Sequence, residues 1–280
     1  MRSRLLAAAA LLAITLAACG ESTKGAKDSG ARRFSDPTRI DNAWLPLQPG
    51  TKLVFEGRTN SGKKRLPHQI VFVVTDLTKT IDGVRTVVTW DRDYTKGRLV
   101  EGELAFFAQD DAGTVWAYGE YPEEWEGAKL AGAPSTWIPG LDGARPGIMM
   151  KHGPRAGTPE YLQGWAPKIE FEDRARVDGI RPRVCVPSRC YDNVLVTVER
   201  SPDEPKARQL KFYARGVGNI RVGFRGEGTN ESLVLVSVER LDARARARVD
   251  RGALELDRRG YSVSPKLYGR TPRAVAASRG

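Results

Sequence analysis

The chain has 280 residues, is 40% hydrophobic and carries a formal charge of +11. Past a short leader, about 260 residues remain, enough for one large β domain or two small ones with a real core. The charge does not indicate a nucleic-acid partner, because Arg2 and Arg4 belong to the leader and the stretch from Leu241 to Gly280 holds ten Lys/Arg against four Asp/Glu. Basicity therefore belongs to a C-terminal arm and not to the body of the fold.

Residues 1–18 have the layout of a secretory signal: Arg2 and Arg4, the uncharged apolar run Leu5–Leu16, then Ala17-Ala18. The run is too short for the ~20 residues that span a bilayer. Leu16-Ala17-Ala18-Cys19 resembles the bacterial lipobox, which implies lipidation of Cys19 and an anchor of two or three acyl chains. Residues 19–33 read as a flexible tether. Beyond Cys19 they contain no aliphatic residue larger than alanine, and their coil dimension is roughly 20 Å. The expected address is exported, held at the cell membrane or outer membrane by lipid, on the extracytoplasmic side.

Residues 34–241 read as an antiparallel β domain. "TKLVFEG", "HQIVFVVTDL", "VRTVVTWDRDY", "LVEGELAFFAQ", "TVWAYGE", "NVLVTVERS", "QLKFYAR", "NIRVGF" and "SLVLVSVERL" are strand-like, and Asp82-Gly83, Lys96-Gly97 and Asp192-Asn193 punctuate them. The connections are too short for parallel crossovers. "AFFAQDDAGTVWAYGE" and "LKFYARGVGNIRVGFRGE" repeat one pattern, with Gly113 and Gly218 at matching turns. The expectation is one or more antiparallel sheets, two duplicated half-sheets in a sandwich or half-barrel, or a single set of similar hairpins. Between the halves, residues 130–165 are rich in Gly, Pro and Trp and read as an ordered, irregular segment. Trp137, Trp165 and Arg145 are its candidate ligand-binding residues. Residues 242–260 read as a basic helix capped by Asp242 and ended by Gly260. Residues 261–280 read as a largely disordered tail, with an ordered patch at Tyr261 and Tyr268 at most.

Cys185 and Cys190 remain once Cys19 carries lipid, and an exported protein is expected to pair them. No metal set and no cofactor motif is present. "GRTNSGKK" imitates a phosphate-binding loop, but Lys64 stands where Ser or Thr is needed and a strand follows, not a helix. His68 and His152 are the only histidines; His152, in the irregular segment, is the better candidate of the two for a catalytic base. Asp110, Asp111, Glu120, Glu123, Glu124 and Glu126 offer carboxylates for acid–base chemistry.

Three blocks, "FSDPTRIDNAWLPLQPGTKLVFEG", "AFFAQDDAGTVWAYGE" and "IPGLDGARPGIMM", resemble an uncharacterised family of exported bacterial proteins. The resemblance spans most of 34–239 and departs at Ala117, at Pro139 and in "YLQGWAPKIEFEDRARV". It implies export and no activity. A looser likeness to half-barrel lipid-carrier lipoproteins rests on the lipobox and the β-richness.

The expectation for function is a non-catalytic, membrane-anchored envelope protein that binds a lipid or glycan. The rivals are an envelope hydrolase using carboxylates and a purely structural component. Expected partners are the membrane, through the N-terminal lipid, and anionic lipid or wall polymer at the C-terminal arm.

Overall fold

The computed structural model describes residues 32–61, 64–202, 204–227 and 231–277. The leader, Cys19 and nearly all of the tether lie outside the described residues. In chain order the strands are β1 (Thr51–Ser61), β2 (Lys64–Ile81), β3 (Val84–Thr95), β4 (Arg98–Gln109), β5 (Val115–Glu126), β6 (Lys129–Gly132), β7 (Arg145–Met150), β8 (Tyr161–Ala166), β9 (Phe171–Val186), β10 (Arg189–Arg200), β11 (Ala207–Ala214), β12 (Gly218–Gly226), β13 (Ser232–Arg240) and β14 (Val275–Ala276). The helix α1 spans Ala243–Val263.

Every pairing is antiparallel, and each strand pairs with its neighbours in sequence apart from two short ones: β6, which hangs on β5, and β14, which pairs with β2. β1 pairs with both β13 and β2, so twelve strands close into a barrel. The antiparallel, mainly β fold with one C-terminal helix is as expected; the sheet is a full barrel and not a sandwich or half-barrel. Closure leaves no unpaired edge within the ring. The two similar hairpins, β4–β5 and β11–β12, sit half a turn apart around it.

Side chains alternate between the inside and the outside of the ring. On β3, Asp91 lines the interior while Trp90 meets α1 outside. The expected irregular segment 130–165 instead supplies two of the twelve strands, β7 and β8. Both are short and glycine-containing, which hides their strand character in the sequence. The glycine is needed at 147: a Cβ there would lie 2.0 Å from the Gln163 carbonyl carbon.

One end of the barrel is plugged. Ile40, Trp44 and Leu47, ahead of β1, cluster with Val74, Val87, Val115, Val177, Leu195 and Tyr213 from strands all round the ring. Asn42, 4% exposed, fixes the plug. Its Nδ2 donates to the carbonyls of Gly113 (2.8 Å) and Lys151 (3.3 Å), its Oδ1 accepts from Trp44 N (2.9 Å), and its own N–H donates to Gln109 Oε1 (2.9 Å). The plug belongs to the first sequence block, Gln109 and Gly113 to the second, and Lys151 directly follows the third. Asn42 thus ties together the first two blocks and the residue that follows the third at this end.

The β9–β10 hairpin projects beyond β11 and folds toward the same end. Val186 and Tyr191 join Ile220 and Leu235 in one cluster, and Ser188 N donates to Leu235 O. At its tip Cys185 and Cys190 stand opposite each other and form a disulfide, with Cα atoms 3.9 Å apart. So short a loop gains only about 2 kcal/mol from chain entropy. The bond fixes a hairpin, not the domain.

α1 lies on the outside of the barrel. Asp242 caps it by accepting from Ala245 N at 2.7 Å. Leu256 and Ala253 pack on Leu77, Val88, Leu104, Phe106 and Tyr121. Gly260 does not end the helix, which runs on to Val263. It is a point of close approach instead, where a Cβ would lie 2.5 Å from the Tyr268 ring. The segment after it, expected to be largely disordered, packs down through residue 277. Tyr268 is fully buried against Phe106, Tyr121 and Tyr261, and Val275–Ala276 pairs with β2 at Thr78 and Leu77.

Candidate functional site

The barrel holds a cavity of about 280 Å³ that is partly open to solvent. Antiparallel order fixes its polarity, because the plug sits where β2 and β4 end and where β3 and β5 begin. Moving away from the plug along the inward-facing positions, β2 reads Val74, Phe72, Ile70, His68. β3 reads Val87, Thr89, Asp91, Asp93, and β4 reads Phe107, Ala105, Glu103, Glu101. The floor is apolar: Leu45 and Leu47 of the plug with Leu53, Phe72, Phe107 and Val222. Farther from the plug the lining becomes acidic.

The acidic wall is built by register. Asp91 stands opposite Glu103, Asp93 opposite Glu101, and Ala105 opposite Glu120. Like charges directly across a ladder are destabilising, so this arrangement is not explained by folding. Burial, followed by the charges of Glu101, Asp93 and Glu120, pushes Asp91 up to about 8. Burial and then Asp93, Glu120 and Glu124 push Glu101 up to about 7. Asp93 is raised to about 6, chiefly by burial, and Glu103 is raised well above its usual value by burial and by Glu120. At neutral pH the wall therefore holds protons that exposed carboxylates would have lost.

The cations nearby are already engaged. Lys211 Nζ lies 2.9 Å from Glu199 Oε2. Burial opposes its charge, but Glu199 outweighs this and raises its pKa. His68, 6% exposed, places Nε2 2.7 Å from Glu231 Oε1 and Nδ1 3.1 Å from Asp93 Oδ1. Burial opposes its protonation, yet the Glu231 hydrogen bond and the charges of Asp93, Glu231 and Glu101 together raise its pKa. The Lys211 charge also reaches Asp91 but is outweighed there, and Asp91 Oδ1 is buried and without a hydrogen-bond partner among the described residues. Among those residues no group of three or more His, Cys, Asp or Glu side chains is placed to hold a metal ion.

The residues singled out from the sequence fall elsewhere, with one link. Trp137 is 2% exposed, stacks on Phe171 at 5.3 Å and donates from Nε1 to Glu120 Oε2 at 3.2 Å. It stands behind the cavity wall and does not line the cavity. Arg145 and Trp165 are cross-strand neighbours on β7 and β8, Arg145 exposed and Trp165 half-buried, and neither lines it. Of the two histidines, His68 belongs to the acidic interior; His152 is exposed at the plugged end, against Gly113. Of the sequence-flagged carboxylates, Glu120 lines the cavity and Glu124 pairs across from Glu101. Asp110 accepts from Trp116 Nε1 and Thr114 N in the β4–β5 turn, Asp111 holds Ser35, and Glu123 is tied to Arg259 outside. Asp91, Asp93, Glu101 and Glu103 are site residues that the sequence reading lacks. Their signal was an acid at every second position of two adjoining strands, "DRD" and "EGE", which reads as a solvated face until the barrel closes around it.

No protein-family model matches the chain, and no curated protein matches it. Two solved structures are similar in part. One is a protein of Bacteroides fragilis NCTC 9343, provisionally described as exported with a YmcC-like fold, at 12% identity and TM-score 0.38, covering 71% of this chain and 99% of that one. The other is a provisionally described lipoprotein of Parabacteroides distasonis ATCC 8503, at 11% identity and TM-score 0.37, with the same coverage of 71% and 99%. At TM-scores this low the likeness is partial, and neither description carries over to this chain.

Proposed function

We propose that this chain is a non-catalytic binding protein of the cell envelope that takes a small ligand, a lipid or glycan, into its barrel. One observation carries the reading: a cavity of about 280 Å³ that is apolar at the plugged end and polar farther out. A barrel that served only as a scaffold would fill its interior with side chains, and an apolar pocket with a few polar groups is the usual form of a ligand site. Lipidation at Cys19 holds the protein at the extracytoplasmic face of a membrane, and the family resemblance of the three blocks agrees with export. The arginines exposed along the outer side of α1, Arg244, Arg248, Arg251 and Arg258, suit contact with anionic lipid or wall polymer.

The cavity is tested with the neutral apolar dye N-phenyl-1-naphthylamine. Its fluorescence is expected to rise on mixing with the purified protein. The rise should disappear in Ala105→Phe, which fills the cavity, while the circular dichroism spectrum stays the same. A signal that survives the substitution places the dye elsewhere and overturns the reading. The anchor is tested by labelling cells with a radioactive fatty acid. Wild type should incorporate label and fractionate with membranes; Cys19→Ala should do neither. Equal labelling of both would refute lipidation at that residue.

A hydrolase using the interior carboxylates is the second reading. It is favoured by Asp91 and Glu101, raised to about 8 and about 7, values that suit a general acid. It requires turnover of a bound ester or glycoside that is lost in Glu103→Gln.

A further inference from the structure

We propose that the ligand of the barrel is a small amphiphilic cation: an apolar chain bearing a protonated amine, with the chain on the floor and the ammonium among Asp91, Glu103 and Glu120. The inference rests on the interior being a ligand site, and it names that ligand's chemistry.

Three independent features point to it. The first is shape and polarity. One continuous cavity joins an apolar floor to a carboxylate wall, so an occupant that satisfies both has an apolar end and a polar end. The second is charge. Among the described residues the ion pairs of Lys211 and His68 are with carboxylates outside the Asp91–Glu103–Glu120 group, Lys211 with Glu199 and His68 with Glu231 and Asp93, although the charge of Lys211 also reaches Asp91 and Glu103. Asp91, Glu103 and Glu120 come from three adjacent strands, and Glu120 accepts one hydrogen bond from Trp137. Four carboxylates, Asp91, Glu103, Glu120 and Glu231, thus line the cavity against one lysine, Lys211. The third is an orphan atom. Asp91 Oδ1 is buried without a hydrogen-bond partner among the described residues, on a side chain that lines the cavity. Buried polar atoms are seldom left so, and an exception calls for an explanation such as an absent partner.

Other occupants fit less well. A fatty acid would bring a like charge against the wall. A neutral lipid would leave the surplus charge uncompensated. A divalent metal finds no set of ligands placed for it among the described residues. An ammonium supplies three donors and a positive charge at once. The raised pKa values of the wall agree with this, since protons now do in part what a bound cation would do.

The test compares three probes with the same chain and different heads: octylamine, octanol and octanoate, titrated into the full protein by calorimetry at about pH 8.5, where octylamine is protonated and the pH lies above the raised values of Asp91, Glu101 and Asp93. Octylamine is expected to bind at least about tenfold more tightly than octanol, the scale of one charge-assisted hydrogen bond, and octanoate more weakly than either. Asp91→Asn and, separately, Glu103→Gln should each narrow the gap between amine and alcohol. If octanol binds as well as octylamine, the cation is refuted while the cavity remains a binding site. If octylamine keeps its advantage in both variants, the amine is recognised elsewhere and the proposal falls. If none of the three binds, the ligand-site reading falls too, and the inference with it.

Discussion

Replacing Lys79 with alanine is expected to cost the folded chain about 3–5 kcal/mol, because it breaks a buried ion pair on one side only. Lys79 is 1% exposed on the outer face of β2, beneath α1. Its Nζ lies 2.8 Å from Asp257 Oδ1 on the helix, donates to Tyr261 OH at 3.1 Å and to Pro272 O at 2.6 Å, and sits 4.2 Å from the centre of the Tyr268 ring. Burial lowers its pKa, and Asp257 works against that. A single side chain thus ties barrel, helix and C-terminal segment together. Without it, Asp257 keeps its hydrogen bond from Tyr268 OH but stays buried without a counter-charge. The midpoint of thermal unfolding should fall by roughly 6–20 °C, at about 2–4 °C per kcal/mol for a domain of this size. The segment 264–277 should become sensitive to protease before the barrel does. The double variant Lys79→Met, Asp257→Leu should recover most of the loss, because apolar pairs replace buried ion pairs at little cost. A loss under about 1 kcal/mol in Lys79→Ala would show that the pair does not hold the helix.

Stability is also expected to fall as pH rises from about 5 to about 8.5. Asp91, Glu101 and Asp93 have native pKa values near 8, 7 and 6, above those of ordinary carboxylates. Through that window the native state binds more protons than the unfolded chain, so raising the pH favours unfolding. The stabilising effect of protonation is fully present below about pH 4 and gone above about pH 8. His68, with its raised pKa, acts in the same direction. The exposed carboxylates Asp41, Glu160 and Glu239, whose pKa values are lowered, act in the opposite direction but only below about pH 5, outside this window. A decrease of about 5–10 °C in unfolding midpoint across this range is expected for wild type. Asp91→Asn should raise the midpoint at the alkaline end and flatten the slope. A midpoint that is level or increases over the same range would mean that the wall is not buried as described. A stability sacrificed at neutral pH fits a surface retained for binding, since sites that bind charge commonly hold perturbed groups.

Much of the fold could be read directly from the residues. Alternating β-branched and aromatic runs with Asp82-Gly83 and Lys96-Gly97 turns gave the hairpins, because strand periodicity and turn chemistry act over a few neighbouring residues. The helix start at Asp242 was equally local. The ends were harder. Gly260 looked like a helix stop, yet it is a contact with Tyr268, which lies eight residues on in sequence and is brought back by the fold. Residues 264–277 looked too polar to pack, yet they are held by Lys79, which no local pattern links to them.

The candidate site was legible only in pieces. Glu120 and Glu124 stood out as carboxylates, and His68 as one of two histidines, but nothing in their spacing said that they share an interior. Trp137, Trp165 and Arg145 are candidates in the sequence because tryptophan in a Gly/Pro-rich stretch suggests a binding surface. The structure makes Trp137 a buried support for Glu120, and sets Arg145 and Trp165 away from the cavity. The sequence by itself determined the hairpins, the helix and the disulfide pair, since each depends on residues that are neighbours along the chain. Only the tertiary structure decided that β1 meets β13, that a plug from residues 40–47 seals one end, and that "DRD" and "EGE" face inward. Closing a barrel joins residues about 190 positions apart, as Thr51 joins Arg240. Whether an alternating acid strand faces water or a cavity depends on that closure, which no local property encodes.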